Sequence, residues 1–170
     1  MAWNADTTRM PAAMHSQYLR RLYLHNELAL SRYCVEGQPV SLRDLTAPVF
    51  MVGTEKDHVA PWRSVYKLHA LCDTELTFVL TSGGHNAGIV SEPGHAGRHW
   101  LQATREPDDA WRAPEAWQAG AERHEGSWWT AWDRWLKQHG SRRTVAARPA
   151  QAVPGLPAAP GRYVMQRYLD

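Results

Sequence analysis

Two short apolar runs, Ala47-Pro-Val-Phe-Met-Val-Gly and Leu76-Thr-Phe-Val-Leu-Thr, constrain this sequence more than any other feature. Each is β-branched and aromatic and is bounded by Pro or Gly, the pattern of a strand covered on both faces inside an α/β sheet. The stretch between them, Pro61 to Leu71, predicts one crossover helix: Pro61 suits the first turn, and Val65, Leu68 and Leu71 form an apolar stripe. The unit therefore reads β-loop-α-β. Asp57 lies just past the carboxyl end of the first strand and His85 just past that of the second. In open parallel sheets, ligands and chemistry collect at those ends.

A carboxylate beside a histidine fixes the imidazole tautomer and stabilises the imidazolium that forms when the ring takes a proton. The imidazole can then activate a nucleophile. Gly83 and Gly84 allow the tight turn that presents His85 at a loop tip. Glu55 and Asp73 are competing acids, but Glu55 leaves the strand two residues early and Asp73 sits at a helix end. His58 reads as a loop residue pointing elsewhere or as a support to the pair. Arg63 and Lys67 read as a solvated helix face or as phosphate contacts. On pattern alone, Asp57 and His85 stay open between a catalytic pair and ordinary loop residues.

Acid then histidine on successive strand ends matches the second and third members of an α/β-hydrolase triad. The first member needs a small-residue frame, because the nucleophile sits on a strained strand-to-helix turn. No Ser or Cys of this sequence has Gly two positions before and two after it. Residues 1–56 are also too few for the several βα units that precede the acid strand of such a fold. The expectation is the carboxyl-terminal part of something larger.

The remaining composition excludes several classes. A net charge of +2 is too small to imply a nucleic-acid partner. No run of about 18 apolar residues is present, so no transmembrane segment is expected. The polar opening, Met1 to Asp6, lacks the apolar core of a signal peptide, which makes a cytoplasmic location the expectation. Cys34 and Cys72 have neither disulfide-framework nor metal-ligand spacing and read as small buried or half-buried residues. His95 and His99 are four apart, a spacing that serves a metal on a helix, but Gly94 and Gly97 argue against that helix. No metal and no cofactor are expected.

Along the rest of the chain, Met14, Tyr18, Leu22 and Leu28 predict a helix over about 9–30, and residues 31–39 read as a connector. Residues 107–121 read as irregular and dotted with Trp. Ser127 caps a helix on which Trp128, Trp132 and Trp135 share one face, either docked on the sheet or meeting a partner or a hydrophobic polymer. Residues 141–161 read as an Ala/Pro-rich linker, and 161–168 as a short strand or docked extension.

Several longer strings carry a family resemblance. Trp3-Asn-Ala-Asp-Thr-Thr-Arg-Met-Pro, His15-Ser-Gln-Tyr-Leu-Arg-Arg-Leu-Tyr-Leu, Gly53-Thr-Glu-Lys-Asp-His-Val-Ala-Pro-Trp-Arg-Ser and Leu80-Thr-Ser-Gly-Gly-His-Asn-Ala-Gly-Ile-Val-Ser occur in that order. With Glu125-Gly-Ser-Trp-Trp and Pro160-Gly-Arg-Tyr-Val they resemble the poly(3-hydroxyalkanoate) synthases, class I-like, over nearly the whole chain. The resemblance implies an α/β fold, the carboxyl-terminal part of an α/β-hydrolase core with an incomplete parallel sheet and flanking helices, preceded by the end of a cap subdomain. It assigns residues 1–40 to the cap, 41–140 to the core and 141–170 to the linker and terminal extension.

It further implies polymerisation of (R)-3-hydroxyacyl-CoA into a growing polyester with release of coenzyme A. His85 is then the base that generates a cysteine thiolate, and Asp57 the triad acid that also helps activate the monomer's 3-hydroxyl. The family's nucleophile belongs to a Gly-x-Cys-x-Gly frame, which neither Cys34 nor Cys72 occupies. This chain alone is therefore expected to be inactive. Implied partners are the polymer granule surface and a homodimer or an intact synthase. Two alternatives stand beside this: a non-catalytic module that binds an intact synthase or the granule, and a fragment of another α/β-hydrolase such as an esterase or depolymerase.

Overall fold

The structure is a computed structural model that describes residues 9–141, 143–146, 155, 157, 158, 160–162 and 165. The expectations for residues 1–8, and most of those for the linker and the terminal extension, lie outside the described residues. The chain groups into two units, one spanning Asn26–Arg142 and one drawn from the two chain ends.

In the terminal unit, the continuous helix expected over 9–30 is replaced by two short pieces. Helix α1 (Ala12–Gln17) passes into a π-helical segment, Tyr18–Leu24, in which the His25 amide reaches back five residues to the Arg20 carbonyl at 2.9 Å. One extra residue per turn breaks the apolar spacing on which the longer helix rested.

The larger unit opens differently from the expected connector. Strands β1 (Tyr33–Val35) and β2 (Gln38–Val40) form an antiparallel hairpin. Its two turn residues, Glu36 and Gly37, have φ of 50° and 80°, so both occupy the left-handed region that a two-residue type I′ turn requires.

The main sheet has the order β3 (Val49–Thr54), β4 (Leu76–Thr81), β5 (His99–Arg105), β6 (Glu122–Glu125). Strands β3 and β4 are parallel, in register from Val49 opposite Leu76 to Thr54 opposite Thr81. The expected parallel sheet is confined to this pair. β5 runs antiparallel to β4, and β6 antiparallel to β5, so the sheet is mixed.

All six residues of β4 are buried, as the two-sided reading of its sequence requires. On one face, Met51, Leu76, Phe78, Leu80 and Leu101 pack against Trp62, Tyr66 and Trp117. On the other, Val79 and Trp100, with Phe50 and Val52, meet Trp128 and Ala131. Helices therefore cover both faces, the three-layer arrangement of an α/β domain.

The crossover is α2 (Trp62–Tyr66) followed by a 3-10 turn, Lys67–Ala70, and its buried face differs from the expected stripe. Trp62, Tyr66 and His69 point inward, while Val65 and Leu68 flank them. The reason is Gly53: a Cβ there would stand 3.1 Å from the Trp62 Cβ and 3.2 Å from the Phe78 ring. Its absence lets the helix approach closely on the Trp62 side.

Arg105, at the end of β5, closes the other end of the crossover. Its guanidinium donates to the carbonyls of His69 (2.6 Å), Cys72 (2.7 Å) and Thr74 (3.0 Å), acceptors that a helix end leaves open. The segment expected to be irregular contains α3 (Pro114–Gly120), with Pro114 in its first turn and Trp117 buried. Cys34 is half-buried and Cys72 buried, both as free thiols.

Helix α4 (Trp129–His139) docks on the sheet. The rings of Trp128 and Trp135 lie 6.3 and 5.6 Å from that of Phe50, whereas Trp132 stays largely exposed. Ser127 acts as expected at the amino end, its hydroxyl accepting the Trp129 amide at 3.1 Å.

Candidate active site

The parallel register places the ends of β3 and β4 at one level, and the pairing continues into the loops. The Glu55 amide donates to the Thr81 carbonyl at 2.9 Å, and the Lys56 amide to the Gly83 carbonyl at 2.9 Å. The two loops are thus tied side by side, one carrying Asp57 and the other His85.

His85 Nδ1 stands 2.9 Å from Asp57 Oδ2, between residues 28 apart in sequence. The other carboxylate oxygen, Oδ1, accepts the amides of Val59 and Ala60, each at 2.8 Å. The Asp57 side chain is only 7% exposed and that of His85 is 47% exposed. A shielded acid therefore backs a ring that remains open to solvent.

The Ala60 amide above all, with His85 and the Val59 amide adding to it against the opposing effect of burial, pulls the Asp57 carboxyl from 3.8 down to about 2. An ionised carboxylate accepts hydrogen bonds only, so the proton in this contact belongs to Nδ1 of His85. In the neutral ring, Nε2 is then the basic nitrogen.

The His85 loop is built for close approach. Gly83 has φ of 110°, in the left-handed region, and a Cβ there would lie 2.7 Å from Arg98 Nη1. The loop closes on itself through the Gly88 amide, which donates to the Gly84 carbonyl at 2.8 Å.

The competing acids are engaged elsewhere. Glu55 meets His99 Nε2 at 3.1 Å, and Asp73 faces Arg43 at 3.8 Å. His58 is exposed on the Asp57 loop. Arg63 donates to Glu115 at 2.8 Å and lies over the Trp62 ring. His95 pairs with Glu92, so the two histidines four apart turn to different carboxylates. Among the described residues, no three His, Cys, Asp or Glu side chains gather as a metal site, and no helix is long and apolar enough to cross a membrane.

The acid, the histidine and the glycine turn were legible in the sequence. What it concealed is the Ser127-Trp128-Trp129 segment, which reaches the His85 loop from about 40 residues downstream. Its only signal was the adjacent Trp pair, which reads equally well as core.

Comparison with known proteins bears on this geometry. No family model matches the chain. The poly(3-hydroxyalkanoate) polymerase of Methylorubrum extorquens is 40% identical over 166 residues, 97% of this chain and 27% of its own length. This chain is homologous to part of the poly(3-hydroxyalkanoate) polymerases. The PhaC subunits of Rhizobium etli and Cupriavidus necator are each 39% identical over 166 residues, covering 97% and 95% of this chain. The chain spans about a quarter of the length of these relatives, 26% and 27% for the PhaC subunits, and matches their carboxyl-terminal part. The similarity thus includes β3, β4 and both dyad loops.

Proposed function

We propose that this chain supplies the base and acid of a Cys-His-Asp triad for polyester synthesis from (R)-3-hydroxyacyl-CoA. The observation that carries the reading is the contact of His85 Nδ1 with a shielded, ionised Asp57 while the ring stays half-exposed. In this reading residues 1–40 end a cap and 41–140 close an α/β-hydrolase core. The thiol comes from a Gly-x-Cys-x-Gly frame outside this sequence.

Nε2 of His85 takes the thiol proton, and the thiolate attacks the thioester carbonyl of the monomer. The coenzyme A thiolate leaves and receives that proton from the imidazolium, whose charge Asp57 offsets. Nε2, with Asp57 assisting, then removes the proton of the next monomer's 3-hydroxyl as that oxygen attacks the acyl-thioester, and passes it to the departing cysteine thiolate. No cofactor enters these steps. The growing polyester places the assembly at a granule surface in the cytoplasm.

The test is a chimera in which this chain replaces the matched stretch of the Cupriavidus necator polymerase, assayed for coenzyme A release from (R)-3-hydroxybutyryl-CoA. The chimera is expected to turn over, and His85→Gln or Asp57→Asn to lower kcat by about three to four orders of magnitude. The 170-residue chain alone is expected to release none. Full activity in the Asp57→Asn chimera, or turnover by the isolated chain, refutes the assignment.

A further inference from the structure

We infer that Ser127, Trp128 and Trp129 are positioning residues for His85, three consecutive side chains that donate to three main-chain carbonyls of its loop. Trp128 Nε1 donates to the Gly88 carbonyl at 3.1 Å, Trp129 Nε1 to the Ile89 carbonyl at 2.9 Å, and the Ser127 hydroxyl to the Ser91 carbonyl. The inference rests on the triad reading of His85 and deepens it.

The loop needs such a support. Its leading side is pinned to the sheet: the Ser82 amide donates to the His99 carbonyl at 2.9 Å, and the Ser82 hydroxyl accepts the His99 amide at 3.1 Å. On the trailing side, the amides of Gly88, Ile89 and Val90 bond only within the loop, to Gly84 and Asn86. Those bonds shape the turn without fixing it to the core. The two indole N–H groups and the serine hydroxyl make that attachment.

Trp128 also spans the dyad. Its ring is buried and lies nearly parallel to that of Phe50, in the strand that leads to Asp57, while its N–H holds the loop that carries His85. One side chain thereby refers both members to the same point of the core.

Docking α4 on the sheet needs only apolar rings, which Phe would supply. Capping α4 needs only that Ser127 accept a hydrogen bond. The outward donations are additional to both roles. The buried indole N–H of Trp128 finds its acceptor in the loop, whereas those of Trp100, Trp117 and Trp135 make no hydrogen bond among the described residues, so docking of an indole does not by itself bring the pairing about.

The test uses the whole chain. Trp128→Phe and Trp129→Phe keep a ring and delete the donor. In 15N-labelled protein, the Nδ1 proton of His85 reports its contact with Asp57, and that of His69, which donates to the Tyr66 carbonyl, serves as an internal control. Exchange of the His85 proton is expected to quicken at least tenfold in the double variant and severalfold in Trp129→Phe, with the His69 proton little changed. Unchanged His85 exchange in a folded double variant overturns the inference. If that variant does not fold, Trp129→Phe decides alone, and unchanged exchange there has the same force. In the chimera, Trp129→Phe should lower kcat and leave KM in place. The NMR outcome is independent of catalysis, so failure of the triad reading and failure of the positioning role are separately visible.

Discussion

Gly88 rests so closely on Thr54 that a Cβ at position 88 would lie 2.6 Å from Thr54 Cγ2 and 2.9 Å from the Gly84 carbonyl oxygen. Thr54 is 1% exposed and ends β3, so it has no room to yield. Gly88→Ala is therefore expected to displace the His85 loop and to destabilise the fold by about 1–3 kcal/mol, the usual penalty for overpacking. Urea denaturation reads the loss, and the His85 Nδ1 proton reads the displacement.

The depressed carboxyl of Asp57 makes stability depend on acid. Its folded pKa of about 2 lies below the ordinary 3.8, so the unfolded chain takes the proton first. The stabilisation is whole above about pH 4 and is lost as pH falls towards about 2. Asp57→Asn removes this dependence. Thermal midpoints of the two proteins should differ at pH 7 and converge over that acid interval.

Phe78 is fully buried, with Trp62, Tyr66, His69 and Trp117 around its ring. Phe78→Ala leaves a cavity under the crossover helix and is expected to destabilise by about 3–5 kcal/mol. The midpoint of chemical denaturation measures it.

Arg105→Met retains the aliphatic reach and removes the donors to three carbonyls. A hydrogen bond from a charged donor contributes about 1.5–3 kcal/mol. A loss in that range is expected, with amide exchange quickening first over Lys67–Ala70, the turn whose end Arg105 closes.

The parts of the fold that were legible in the sequence are those set by burial on both faces. The runs at Val49–Thr54 and Leu76–Thr81 have the apolar continuity that only a covered strand keeps, and their ends point to Asp57 and His85. β6 had no such signal: Glu-Arg-His-Glu contains no apolar side chain and is a strand only because β5 offers it hydrogen bonds. β5 shares the difficulty, since Trp100 and Leu101 are neighbours that pack on opposite faces while Gln102 and Thr104 break any run. α3 is too short for a periodic stripe and is marked only by Pro114. The role of Trp128 depends on a donor meeting a carbonyl 40 residues away, which no local pattern encodes.

The in-register pairing of Thr54 with Thr81 also sets which tether lengths matter. Asp57 hangs three residues beyond one of these threonines and His85 four beyond the other, so each inserted residue would carry a side chain about 3.3 Å along an extended chain, more than the full length of their contact. The turn at Asp73, which joins the crossover to β4 and is held by Arg105 through the Cys72 and Thr74 carbonyls, lies at the opposite end of the strands from the dyad. Residues added there would lengthen a path that the register has already made irrelevant to the site. Natural length variation in relatives of this segment should therefore be absent from the few residues on either side of the acid and the histidine.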